Sequence, residues 1–221
     1  SAFVSNAEAF ALVSGRRSDQ NLCFTSPLAE ALVVERLLGM LGRSPEVEIL
    51  GLYAADNMVR CECPGCRQQD PSTTWWSFFQ RLCAGIRRVH PQLKFVGGAY
   101  QDYMALPRVD LRGAEFIEYC QLDRCYVHAP ASGCPLNRHS WSELGRWQQT
   151  GTPMGIYGYE FDCFAWKDLY FTPFFTTLAT SLQAYRQAGL KAVFPEIYVN
   201  PRPGDPSGRW EGLHNRLGFY L

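Results

Sequence analysis

Three cysteines in the segment "CECPGC" have a spacing that suits metal binding. Cys61, Cys63 and Cys66 include the C-P-x-C spacing of a zinc knuckle and supply three thiolates. A tetrahedral structural zinc needs four ligands, and the usual second C-x2-C pair is missing. The alternative is a tight turn with buried thiols, or one or two disulfides in an exported protein. The loop further along the chain offers four candidates for the missing ligand: Cys120, Cys125, His128 and Cys134.

Six acidic residues end or follow predicted strands, and two carboxyl groups are what cleavage of a glycosidic bond requires. One protonates the leaving oxygen while the other acts as base or nucleophile. Glu160 is the preferred candidate, because in "YGYEFD" it ends an apolar strand and aromatic neighbours would raise its pKa. Any single acid could instead cap a helix or pair with a basic side chain. The catalytic candidates are Asp56, Glu118, Asp123 and Glu160, while Asp162 and Glu196 complete the six.

Polar and aromatic residues near the same strand ends are candidates for binding a sugar. Arg124 could hold a carboxylate, such as that of a uronic acid, through two parallel hydrogen bonds, and His128 could bond a sugar hydroxyl. Alternatively, Arg124 could form an ion pair with Asp123, and His128 could stabilise the loop. The predicted substrate-binding residues are Asn57, Tyr100, Arg124, His128, Tyr159 and Glu196.

Composition and motifs exclude several other classes of function. The 221 residues carry 21 basic and 21 acidic side chains, so no net field attracts nucleic acid or an anionic membrane. No G-x-S-x-G, phosphate-loop or H-E-x-x-H motif occurs. No apolar run approaches the roughly 18 residues of a membrane span, and the first residues lack a signal-peptide pattern. A soluble protein is expected, either cytoplasmic or exported. Nine cysteines are an odd number, so at least one thiol is free or bound to metal.

Strands and helices alternate along the chain, which predicts an α/β fold with parallel strands. The predicted helices run from Pro27 to about Gly42, over 72–89, 140–149 and 174–188, and from about Trp210 after a loop at 200–209. Six strands are predicted between them: "NLCFT" (21–25), "VEILGLY" (47–53), "LKFVGGAY" (93–100), "AEFIEYC" (114–120), "GIYGYEF" (155–161) and "LKAVFPEIY" (190–198).

The polar residues at the carboxyl ends of these strands favour a (β/α)8 barrel of the TIM type. Barrel enzymes build their active sites at that face, whereas a dinucleotide-binding sheet would show a Gly-rich turn after its first strand, which is absent. A typical barrel needs about 250 residues, and only six strand-helix units are visible. Residues 1–221 are therefore expected to form one partial barrel domain. The remaining strands or flanking domains would belong to a longer protein.

Several motifs, in order, resemble a bacterial family called domain of unknown function 4838. They are "LCFTSP", "CECPGC", "HPQLKFVGGAY", "YCQLDRCYVHAPASGCPLN" and "LGRW", within a span from about Asn21 to Glu196. The resemblance implies a glycoside-hydrolase-type (β/α)8 barrel, distantly similar to the α-glucuronidases and often part of longer proteins. It makes the six strands the third to eighth of the barrel. It also implies that Asp56 is the acid, and that Asp123 or Glu118, with Glu160, is the base.

The leading hypothesis is a glycoside hydrolase that uses a carboxylate pair on a carbohydrate substrate, such as a uronic-acid-containing glycan. Catalysis by two carboxyl groups requires no cofactor, and a zinc ion at the cysteines would be structural. The alternative is a non-catalytic carbohydrate-binding or structural barrel fragment with a cysteine-bound metal.

Overall fold

The computed structural model describes residues 2–159, 174–195 and 219–220. The chain divides into two compact units, one formed by residues 1–117 and 150–152 and the other by residues 118–149 and 153–221. The strands are β1 (Phe10–Val13), β2 (Arg16–Leu22), β3 (Ile49–Leu52), β4 (Lys94–Ala99), β5 (Phe116–Cys120), β6 (Met154–Gly158), β7 (Ala192–Pro195) and β8 (Phe219–Tyr220). The helices are α1 (Ala2–Ser5), α2 (Pro27–Leu41), α3 (Pro64–Arg67), α4 (Pro71–Arg87), α5 (Pro135–Gln148) and α6 (Phe174–Gln187).

The main sheet confirms the predicted α/β class. Strands β3 to β8 follow one another in chain order, β3 pairs with β4 in parallel, and β6 pairs with β7 in parallel. Five parallel strands alternate with helices, and β8 joins β7 in the antiparallel direction. This is the alternation that a partial (β/α)8 barrel shows.

The first predicted strand, "NLCFT", is wrong. Its residues Asn21 and Leu22 end β2, which pairs with β1 in an antiparallel hairpin that forms a sheet of its own. The hairpin turns at Ser14 and Gly15, whose φ angles of 49° and 77° match the right-handed twist of the strands that they join. Cys23 follows the strand as irregular chain, so the first parallel strand of the main sheet is β3.

Proline starts each of the long helices of the first unit, and a polar side chain caps it. In α2 the Ser26 hydroxyl accepts the backbone N–H of Ala29 at 3.3 Å. In α4 the Asp70 carboxylate accepts that of Thr73 at 2.8 Å. These caps satisfy backbone donors that the first turn of a helix leaves without partners. The prolines have no N–H to satisfy, so they suit the first helical position.

Helix α4 supplies the core of the first unit. Its Trp76 and Phe79 rings approach strand β4 at Gly97, where the missing side chain leaves room for the Trp76 ring. The Phe24 ring stacks on Phe78 with ring centroids 5.2 Å apart. The buried residues of the helix include Trp75, Trp76, Phe78, Phe79, Leu82 and Ile86.

Two predicted boundaries differ in the second unit. Helix α5 begins at Pro135, five residues before the predicted start at Ser140, because proline is acceptable at the first helical position and Cys134 precedes it as N-cap. Strand β6 ends at Gly158. The predicted helix near Trp210 and the loop at 200–209 lie outside the described residues. Among the described helices none is long and apolar enough to cross a membrane.

Candidate functional site

Four cysteine sulfurs of the first unit meet at one point. The Sγ atoms of Cys23, Cys61, Cys63 and Cys66 all lie within 4.8 Å of one another. Cys23 Sγ is 3.6 Å from that of Cys63 and 3.9 Å from that of Cys66. The three cysteines of "CECPGC" thus lie together. The fourth sulfur beside them is that of Cys23, directly after β2, which was not among the four residues considered from the sequence.

Polar hydrogens of the surrounding chain point at these sulfurs. The backbone N–H of Leu12 donates to Cys61 Sγ at 3.3 Å, and that of Cys66 donates to Cys63 Sγ at 3.4 Å. The Thr25 hydroxyl lies 3.5 Å from Cys63 Sγ and 3.3 Å from Cys66 Sγ. Donors around a thiol favour its ionised form, which is the form that binds metals.

Hydrogen bonding inside the cluster separates the pKa values of the thiols. The bond with Cys66 lowers the pKa of Cys23 to about 4, and it raises the pKa of Cys66. Burial raises the pKa of Cys61. Burial also opposes ionisation of Cys63, but hydrogen bonds from Thr25 and the backbone outweigh it and lower the pKa of that thiol. The lowered pKa values of Cys23 and Cys63 favour the thiolate, which is the form that binds a metal ion.

A second group of metal-binding side chains lies in the second unit. The side chains of Cys125, His128 and Cys134 have ligand atoms within 4.8 Å of one another, and Cys125 Sγ is 3.2 Å from His128 Nδ1. The structure places His128, a predicted sugar-binding residue and candidate metal ligand, beside two thiols. The group supplies three ligands from one loop and from the N-cap of α5.

The buried side chain of Asn137 holds this loop in place. Its Oδ1 accepts the backbone N–H of Cys125 at 2.7 Å. Its Nδ2 donates to the carbonyl oxygens of Cys125, His128 and Ala129 at 3.1–3.2 Å. The first turn of α5 thus positions the backbone of the loop that carries two of the three ligands.

Asp56 lies just past the carboxyl end of β3, where the sequence predicts a catalytic acid. Its carboxylate is exposed, and its Oδ1 accepts bonds from the Tyr100 hydroxyl at 3.0 Å and from Gln101 Nε2 at 2.9 Å. Both donors follow β4, the neighbouring parallel strand. Gln101 has a φ of 47°, an uncommon conformation for a residue other than glycine, and such conformations cluster at functional sites.

Asn57, a predicted substrate-binding residue, bonds to the protein itself. Its Nδ2 donates to the carbonyl oxygen of Gln20 at 2.8 Å, and its Oδ1 accepts the N–H of Val59 at 3.0 Å. The side chain therefore ties the segment after Asp56 to the β1–β2 hairpin.

The remaining predicted residues lie in the second unit or outside the described chain. Glu118 is 4% exposed within β5, and Asp123 is exposed. Arg124 is 8% exposed, and its guanidinium lies 4.2 Å from the centroid of the Tyr126 ring. Tyr159 is buried, with its ring edge-to-face against Tyr157 at 5.2 Å between centroids. Glu160, Asp162 and Glu196 lie outside the described residues.

A cleft of about 670 Å³ in the first unit was not predicted from the sequence. It opens between the β1–β2 hairpin, the segment at 58–71 and the start of α4. An ion pair between Arg60 and Asp102 lines it, together with the knuckle residues Cys61 and Cys66. The ion pair raises the pKa of Arg60. Its two members are 42 positions apart in the chain, so no local sequence pattern marks it.

Comparison with known proteins identifies the family. A family model described as domain of unknown function (DUF4838) matches residues 2–220. The chain belongs to this family. The resemblance that its motifs show is thereby confirmed, over nearly the whole chain. No curated protein matches the chain.

A solved structure similar to this DUF4838 chain is the exo-beta-1,4-mannosidase Op5Man5 from Opitutaceae bacterium strain TAV5. The two share 15% sequence identity with a TM-score of 0.49, and the similarity covers 88% of this chain. The chain spans 39% of the length of that mannosidase chain.

Proposed function

We propose that this chain is part of a glycoside hydrolase in which Asp56 acts on the glycosidic bond. The observation that carries the proposal is the exposed Asp56 carboxylate at the carboxyl end of β3, bonded to two side chains that follow β4. In (β/α)8 barrels, catalytic groups lie at the carboxyl ends of several strands.

The two donors would fix the orientation of the carboxyl group. Tyr100 and Gln101 both bond to Oδ1 of Asp56, so the plane of the carboxyl group is set by residues of a neighbouring strand end. Catalysis by a carboxyl group depends on such positioning, because a small displacement of the reacting group costs rate. We propose that Asp56 is the general acid and that Glu118, Asp123 or Glu160 supplies the second carboxyl group. No cofactor is required for this chemistry, and a metal at the cysteines would take no part in it.

The proposed substrate class is a glycan that contains uronic acid. Tyr126 covers the face of the Arg124 guanidinium at 4.2 Å. A carboxylate binds the in-plane N–H edge of an arginine, so stacking on the face is compatible with binding at the edge. Arg124 would thus bind the carboxylate of the acidic sugar.

The test is turnover of glucuronides and neutral glycosides by the full-length protein. Asp56→Asn is expected to lower kcat/KM by about 10²–10⁴-fold, because the amide cannot donate the proton, while glycan binding stays within a few-fold. Glu160→Gln is expected to behave in the same way. The matched control is Asp19→Asn, an exposed acid in β2, which should keep full activity. Full activity in both Asp56→Asn and Glu160→Gln would contradict the assignment of the pair.

The four-cysteine cluster favours a second candidate, a non-catalytic carbohydrate-binding or structural barrel segment. Sites built of four thiolates usually have a structural role, and such a role needs no catalytic acid. This candidate predicts glycan binding by the wild-type protein without turnover of any glycoside. Turnover that disappears in Asp56→Asn would rule it out.

A further inference from the structure

We propose that Cys23, Cys61, Cys63 and Cys66 bind one zinc ion, and that this ion fastens the β1–β2 hairpin to the segment that follows Asp56. The proposal is independent of the proposed glycosidase activity. It rests on the spacing of the sulfurs, on the donors around them and on the segments that they join.

The sulfur positions fit a tetrahedral zinc site. With Zn–S bonds of about 2.3 Å, the sulfurs of a regular tetrahedron are about 3.8 Å apart. The observed separations of 3.6 and 3.9 Å from Cys23 Sγ lie on either side of that value. All four sulfurs stay within 4.8 Å of one another, so small side-chain adjustments would bring each of them to one shared ion. Four thiolates in tetrahedral geometry favour zinc or iron over harder metals.

The surroundings of the sulfurs are those of a metal site with its outer contacts in place. Backbone N–H groups of Leu12 and Cys66 donate to two of the sulfurs. The Thr25 hydroxyl lies beside two of them, and Gly65 leaves room for it, since a Cβ at Gly65 would lie 2.8 Å from Thr25 Oγ1. Outer contacts of this kind orient ligands and stabilise the metal-bound thiolates.

Such a site is closed, which makes it structural. Four protein sulfurs fill the tetrahedral coordination of zinc, so no position remains for water or substrate. Cys23 is buried and the other three cysteines are half-buried, so the ion would be shielded on the side of the protein core.

The ion would join two segments that are distant in the chain. Cys23 directly follows the hairpin, whereas the other three cysteines lie 38–43 positions further on. Hydrogen bonds also connect the hairpin to that segment, among them those of Asn57 Nδ2 with the Gln20 carbonyl oxygen at 2.8 Å and of Ser14 N–H with the Glu62 carboxylate at 3.0 Å. Glu62 N–H donates to the carbonyl oxygen of Leu12 at 2.7 Å, and Asn21 Nδ2 donates to that of Val59 at 2.8 Å. The zinc would therefore hold the hairpin against the segment that begins at Asp56.

The first test is metal content of the full-length protein, purified under reducing conditions with zinc present. Elemental analysis is expected to find that Cys23→Ser has lost one equivalent of zinc relative to wild type. The matched control is Cys83→Ala, a buried cysteine of α4 outside both groups, which should keep all of its zinc. Cys66→His should also keep the ion, since three thiolates and a histidine form a standard zinc site.

The second test identifies the ligands without disturbing the site. X-ray absorption of Cys125→Ser protein, which removes a ligand of the second group, is expected to show zinc with four sulfurs at about 2.3 Å. A strong chelator should then speed proteolysis within residues 10–22 and leave α5 protected. None of these measurements needs turnover, so they stand whether or not the glycosidase proposal holds.

Several results would overturn the proposal. Equal zinc content in wild type and Cys23→Ser would show that the cluster does not bind the ion. X-ray absorption that shows nitrogen or oxygen ligands in place of sulfur around the ion would contradict the assignment of four thiolates. Iron in place of zinc would contradict the choice of metal. Disulfides among these four cysteines, found by mass spectrometry of the unreduced protein, would replace the metal as the link. An unchanged rate of hairpin proteolysis after chelation would refute the structural role.

Discussion

Replacing Asn137 by alanine is expected to lower the free energy of unfolding by about 3 kcal/mol. Its Oδ1 accepts one bond from Cys125 N–H, and its Nδ2 lies within bonding distance of three carbonyl oxygens. An amide NH2 group has two protons, so the side chain makes three full bonds in all. At a net 0.5–1.5 kcal/mol each, three bonds contribute about 1.5–4.5 kcal/mol. Asn137 is 1% exposed, so water cannot readily replace the lost bonds.

Urea unfolding followed by tryptophan fluorescence would measure this change, because α5 carries Trp141 and Trp147. The matched control is Arg138→Ala, an exposed neighbour that should change the free energy of unfolding by less than about 0.5 kcal/mol. Asn137→Asp keeps the size of the side chain but turns a donor into an acceptor that faces carbonyl oxygens. It should therefore cost at least as much as alanine at pH 7. If Asn137→Ala costs no more than Arg138→Ala, these bonds do not hold the loop.

Three further predictions concern the first unit and one glycine of α5. Partial burial raises the pKa of the Asp70 carboxyl group, but hydrogen bonds from the first turn of α4 outweigh burial and hold this pKa below its usual range. Asp70→Ala should therefore cost about 1 kcal/mol at neutral pH, and urea titrations should show this cost shrinking as pH falls below about 4. Gly97→Ala would place a Cβ 2.6 Å from the fully buried Trp76 ring and should lower the free energy of unfolding by about 1–3 kcal/mol. A Cβ added at Gly145 of α5 would meet no heavy atom within 4 Å. Gly145→Ala should therefore raise the free energy of unfolding by up to about 1 kcal/mol, and equal effects of the two changes would contradict the steric argument. Burial raises the pKa of Cys83 to about 12, so iodoacetamide at pH 8 should label this thiol only after the protein unfolds. Peptide mass spectrometry would detect the label, and rapid labelling of the native protein would contradict the prediction.

Local patterns in the sequence were enough to predict most of the helices and strands. The apolar spacing of α2, which begins at Pro27, and of α4, which was predicted over 72–89, places both helices to within two residues of their observed bounds. Capping and helical periodicity are interactions between neighbours in the chain, so a sequence carries them directly. The family was also evident from ordered motifs, and the match over residues 2–220 confirms it.

The first predicted strand was wrong because the sequence did not show which strand its residues would pair with. The segment "NLCFT" has the apolar content of a buried strand, but its residue Leu22 pairs with Phe10 of β1, twelve positions earlier. Whether an extended segment joins a parallel sheet or folds back as a hairpin is set by which edge it meets. The pairing partner of a strand depends on contacts between distant segments, so the composition of one segment does not determine it.

The sequence alone showed that three cysteines had the spacing of a metal knuckle, and only the tertiary structure identified the fourth. Spacing within "CECPGC" is a local property, so Cys61, Cys63 and Cys66 could be grouped by reading along the chain. Cys23 lies 38 positions before the nearest of them, and it reaches them because the hairpin ends beside that loop. Which distant side chains meet depends on the packing of elements, since long-range contacts are selected by the fold as a whole rather than by neighbours in sequence.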